Sequence, residues 1–106
     1  MPKYLFEARY TAKGDKGVEK EGGVSRRDAV KKHLEELGGT LESMYFAFGD
    51  VDCFIIADLP DNATAAALSL AANESGGMAT RTVVLMTPED VDKAVKKKVH
   101  FRAPGR

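Results

Sequence analysis

The sequence predicts an α+β domain with elements in the order strand, helix, strand, strand, helix, strand, helix. Three observations carry that expectation. Four short runs show strand alternation or continuous apolar character. Two longer runs with helical character each end in a glycine pair, Gly38-Gly39 and Gly76-Gly77. A Thr-Pro-Glu-Asp helix start, Thr87 to Asp90, follows the last strand. A chain of 106 residues has room for one such domain, spanning residues 1–106.

The first strand, Tyr4 to Tyr10, sends Tyr4, Phe6, Ala8 and Tyr10 one way and Leu5, Glu7 and Arg9 the other. Gly14, Gly17, Gly22 and Gly23 then mark Lys13 to Gly23 as a loop or a broken helical turn, suited to a mobile gating loop. Its glycine spacing fits neither nucleotide-cradle pattern. Ser25 begins the first firm helix, with Ser25 and Asp28 placed as a capping-box-like pair. Val30, Leu34 and Leu37 form its buried stripe.

Thr40 to Phe48 and Asp52 to Asp58 read as strands around a tight turn at Gly49-Asp50. The second of them, Cys53-Phe54-Ile55-Ile56-Ala57, is nearly continuous apolar and is expected at the centre of the sheet. An Ala- and Leu-rich helix follows from about Ala63 to Glu74, then a strand from Met78 to Met86. The last helix carries an apolar stripe of Val91, Ala94 and Val95, and Lys96, Lys97 and Lys98 favour its negative end.

The first six elements make the ferredoxin-like βαββαβ arrangement, with two helices on one face of an antiparallel sheet and an added C-terminal helix. The opposite face is bare. By parity, Phe46, Phe48, Phe54 and Ile56 share one register and Tyr45, Cys53, Ile55, Val83 and Leu85 the other. Both carry more apolar area than a solvated face needs, so two copies are expected to pack sheet to sheet.

Sixteen basic and sixteen acidic side chains cancel. No net field draws the protein to nucleic acid or anionic lipid, and neither is expected as a partner. Cys53, the lone cysteine, lies in an apolar strand and reads as a reduced core residue of a cytoplasmic protein. No signal-like stretch follows Met1-Pro2-Lys3-Tyr4, and no apolar run approaches the ~20 residues of a membrane span. The two histidines, His33 and His100, are far apart, so no metal site and no cofactor are expected.

The run from Leu37 to Asp52, Leu-Gly-Gly-Thr-Leu-Glu-Ser-Met-Tyr-Phe-Ala-Phe-Gly-Asp-Val-Asp, resembles the signature region of the GYD-domain family. Pro60-Asp61-Asn62 before an Ala-rich helix and the closing Arg102-Ala103-Pro104-Gly105 extend the resemblance from about Tyr4 to Gly105. Gly49 and Asp52 stand at the glycine and aspartate that name the family, while Val51 replaces its tyrosine and removes an aromatic hydroxyl from the turn. The resemblance implies a dimeric α+β barrel, hence homodimers or larger assemblies. That wider group includes cofactor-free monooxygenases, lactone isomerases, dismutases and small-molecule sensor domains.

Among residues that carry chemistry, His33 lies at the border of the first helix's apolar stripe, where imidazole can serve as base or acid. Asp50 and Asp52 bracket the hairpin turn, with Asp52 the second candidate for proton transfer and turn-shaping bonds the structural alternative. Arg9, Arg26, Arg27 and Arg81 have the fork that grips carboxylate or phosphate, and Glu7 offers Arg9 or Arg81 a cross-strand partner. Tyr10 and Tyr45 suit a pocket wall or an interface. The sequence therefore leads to a homo-oligomer that binds a small apolar or amphipathic molecule, with Tyr10, Arg27, His33 and Tyr45 as its polar contacts. A cofactor-free isomerase or monooxygenase and a structural or regulatory assembly module are the alternatives.

Overall fold

Strand β1, Lys3–Tyr10, organises the molecule because every second side chain, Tyr4, Phe6 and Ala8, is buried. In the computed structural model, which describes all residues Met1–Arg106, it is followed by α1 (Ala12–Glu21), α2 (Gly23–Glu36), β2 (Thr40–Phe46), β3 (Cys53–Asp58), α3 (Asn62–Glu74), β4 (Met78–Leu85) and α4 (Pro88–Val95). The sheet is antiparallel throughout, in the order β2-β3-β1-β4, with the apolar β3 and β1 at its centre. This is the ferredoxin-like α+β fold that the element order predicts.

Helix α2 lies over β2 and α3 over β4. Each contributes one buried side chain, Leu34 and Ala65, which meet Tyr4, Phe6, Ala57 and Leu59 in the core. The Tyr4 hydroxyl donates to Asn62 Oδ1 at 2.6 Å, tying the start of α3 to the central strand. Asp61 caps α3 by accepting from the Thr64 backbone N–H and hydroxyl. Gly38, at φ +83°, takes the left-handed position after α2, and a Cβ on Gly39 would strike the Asp58 carbonyl at 2.1 Å.

Three expectations need correction. Lys13 to Gly23 is neither loop nor gate, because α1 occupies most of it. Thr11 caps α1 by accepting from the Gly14 N–H, while its own N–H and hydroxyl donate to Gly77 and Gly76 carbonyls. Gly14 sits against that same turn, where a Cβ would lie 1.8 Å from the Gly77 oxygen. Its lack of a side chain permits close approach rather than breaking the helix. Second, α2 starts at Gly23 on a Gly22 cap at φ +81°, so Ser25 and Asp28 form no capping box, and Asp28 instead meets Arg27 at 3.3 Å. Third, β2 ends at Phe46, and Phe48 is fully exposed on the turn.

Register also regroups the sheet's faces. Phe46 pairs with Cys53 and Met44 with Ile55, so even positions of β2 share a face with odd positions of β3. A bulge between Leu41 and Ser43 puts Leu41 opposite Ala57 and Ser43 opposite Ile56. The face away from the helices holds Leu5, Phe54, Ile56, Val83, Leu85 and Tyr45. Ion pairs cross it: Glu7 with Arg81 at 3.7 Å, and Lys3 with Glu42 and Asp58 at 2.7 and 2.9 Å. Only nine residues of 106 are buried, so much of the apolar surface has no partner within the chain.

The capping box of α4 forms as its sequence directs, between Thr87 and Asp90, with Pro88 in the first turn. Its apolar stripe, however, packs on nothing: Val91, Val95, Val99 and Phe101 are all exposed. The chain measures 55 × 32 × 23 Å with a radius of gyration of 16.8 Å, against about 13 Å for a compact chain of this length. The arm formed by α4 and the residues after it accounts for that elongation.

Two outcomes test this packing. Alanine ordinarily stabilises a helix interior over glycine by up to about 1 kcal/mol. Gly17, with open space around it, should follow that rule. Gly14→Ala should reverse it and lower the melting temperature, as read by circular dichroism. Asp61 is held below its ordinary pKa of 3.8, first by the Thr64 side chain and then by the Thr64 backbone N–H. A depressed folded value means this contribution is present above pH 3.8 and lost as pH falls through the folded pKa. Asp61→Asn caps without titrating, so wild type should lose stability relative to the variant on acidification.

Candidate functional site

The small side chains of α3 leave a space that the core does not fill. Ala67, Ala71 and Ala72 face the sheet across a cleft of about 470 Å³. Val30, Leu34 and Leu37 of α2 form the opposite wall, and Phe6, Ala8, Ile55 and Met78 of the sheet form the floor. Twelve of its eighteen lining residues are hydrophobic, which sets its chemistry as apolar with a few polar contacts. The core closes the space at the Tyr4 end of β1, and the cleft extends to Tyr10, Ser75 and Met78 at the other. A hydrogen bond between Ser69 of α3 and Thr82 of β4 ties the alanine-rich wall to the sheet.

Four polar residues matter most at the edges: Tyr10, Arg26, His33 and Glu36. Tyr10 arrives there as the last residue of the β1 stripe. Asp52 fixes its backbone, accepting from the Tyr10 N–H at 2.8 Å while the Asp52 N–H donates to the Ala8 carbonyl at 2.9 Å. Burial, and then the Cys53 sulfur, push the Tyr10 hydroxyl's pKa up, with the Arg26 guanidinium acting against them. Burial likewise raises the Cys53 thiol, assisted by Asp52 and opposed by the Tyr10 hydrogen bond and Arg26. Both groups are therefore protonated at neutral pH: Tyr10 serves as a hydrogen-bonding group, and Cys53 has no thiolate character.

Of the residues singled out in the sequence, the fold brings Tyr10, Arg26 and His33 to the cleft. Arg27 points to Asp28 with half its side chain in solvent, and its neighbour Arg26 occupies the cleft wall instead. Tyr45 lies on the opposite face of the sheet, 71% exposed. Asp52 is engaged with backbone at the β2–β3 turn, and Asp50 is exposed there. Arg81 pairs with Glu7, its cross-strand partner. Arg26 was named with the other arginines but not chosen as a cleft contact, though it stands four residues before Val30 and continues that helix's inward stripe. No group of three or more His, Cys, Asp or Glu side chains has the placement to hold a metal ion, and no helix is long and apolar enough to cross a membrane.

Fold and cleft together define a ferredoxin-like α+β domain with a preformed apolar recess on its helical face. The family profile of the GYD domain matches residues 4–95, and the chain belongs to that family. No curated protein and no solved structure gives a significant match.

Cys53 is fully buried. In the folded protein it should react with iodoacetamide at neutral pH far more slowly than after denaturation, as followed by mass spectrometry. Equal rates would place the thiol at the surface.

Proposed function

We propose that this protein is a cytoplasmic homo-oligomer that binds a small apolar or amphipathic molecule in the cleft between α2, α3 and the sheet. The observation that carries the reading is the cleft itself: about 470 Å³, walled by aliphatic side chains, with Tyr10, Arg26 and His33 at its edges. That size and that balance of apolar wall to polar contact suit a small organic ligand.

The homo-oligomer rests on the bare sheet face. Leu5, Phe54, Ile56, Val83 and Leu85 form a continuous apolar band there, and Tyr45 stands beside it. Five of the flanking ions already pair within the chain, Glu7 with Arg81 and Lys3 with Glu42 and Asp58, while Arg9, exposed at the far end of β1, has no such partner. Membership of the GYD family, with its resemblance to the dimeric α+β barrels, points the same way.

The test is nuclear magnetic resonance titration with small apolar and amphipathic compounds, read residue by residue, with sedimentation over micromolar dilution alongside. Shifts centred on Ala71, Met78 and Tyr10, abolished by Ala71→Trp, are expected. Shifts confined to Leu5, Phe54 and Val83 would move binding to the bare face. A monomer at all concentrations would remove the oligomer from the reading.

A further inference from the structure

The cleft has one permanent cation on its wall, and that cation is poorly matched. Arg26 lies between the cleft and a smaller recess that α1 forms with the start of β4. Its side chain is 21% exposed, and its only ion pair within the chain is a loose one, 3.6 Å from Glu21. Glu21 is itself 46% exposed, so solvent screens much of that attraction. The fork of a guanidinium binds strongly when two donors meet two oxygens at hydrogen-bonding distance, which this contact does not achieve.

The surroundings favour an anion at that point. The Tyr10 hydroxyl is a protonated neighbour whose one hydrogen can go to a ligand oxygen in place of the Cys53 sulfur. Helix α2 begins three residues before Arg26 with no side-chain cap and no acid in its first turn, Glu21 standing just before its Gly22 cap. The acid on the main cleft wall, Glu36, sits ten positions further along α2, more than two helical turns away. Between Arg26 and that far end the lining includes Val30, Leu34, Ala71 and Ala72, with His33 at the edge and no carboxylate before Glu36.

Resting on the binding reading above, we propose that the ligand class is a small amphipathic carboxylate, its head held by Arg26 and Tyr10 and its apolar tail lying between α2 and α3. One planar guanidinium matches one two-oxygen, singly charged head. A phosphate dianion would meet no second permanent cation on the cleft wall. Glu21 is the group the ligand's head displaces, so the chain carries its own competitor for the site.

Matched pairs of probes decide the matter: octanoate against octanamide, and phenylbutyrate against phenylbutyramide, each titrated by calorimetry into the intact protein. Wild type should bind each carboxylate at least about tenfold more tightly than its amide, the preference a charge-assisted bidentate contact confers. Arg26→Gln should erase that preference and leave amide affinity within about twofold. Glu21→Gln should widen it, a gain that a misfolded variant cannot produce. Equal affinity of wild type for acid and amide would overturn the role of Arg26 and leave the cleft as the binding site. Absence of saturable binding by all four compounds would overturn both readings.

Discussion

The buried stripe of β1 is the constraint on which the rest of the structure depends. Tyr4 and Phe6 are large enough to be gripped from above by Leu34 and Ala65, so both helices are pinned to one face at one end of the strand. Ala8 and Tyr10 continue the stripe, but α3 answers them with Ala67, Ala71 and Ala72, too small to close the gap. The cleft is thus a consequence of side-chain volume along α3. A larger aliphatic residue at any of those alanines would extend the core and narrow the recess, because interiors gain by filling space.

The same stripe joins the family's turn to the site. Asp52 fastens the β2–β3 turn to the end of β1 through the Tyr10 and Ala8 backbone groups. Through those two bonds Asp52 holds the last residue of β1, and so sets where its hydroxyl meets the cleft. Val51, beside Asp52 in that turn, is half-buried.

Elements with a clear period were legible in the sequence, and so was the bare face they leave. Helix α1 was not, because glycine reads as a breaker unless the opposing surface is known, and at Gly14 that surface is the Gly77 carbonyl, more than sixty residues away. Face assignment between strands failed for a related reason. Parity fails within β2 at the bulge between Leu41 and Ser43, and the connection from Phe46 to Cys53 fixes the phase between strands, which no local pattern records. At the site, Tyr10 and His33 were found by their place on periodic elements, whereas choosing Arg27 over Arg26 missed the inward stripe by one residue. A step of 100° about the helix axis separates a cleft wall from solvent.

The arm that follows β4 changes how the protein's neutrality should be understood. Six of the sixteen basic side chains lie between Lys93 and Arg106, and none of the sixteen acids does. The sum of zero is therefore a cancellation between an acidic body and a basic extension that packs on nothing in its own chain. The arm's lysine run, Lys96-Lys97-Lys98, is also exposed to trypsin-like cleavage. A cut after Lys96 removes four basic side chains and no acid, so the remaining domain turns anionic and its migration on an ion-exchange column reports whether the extension is still attached.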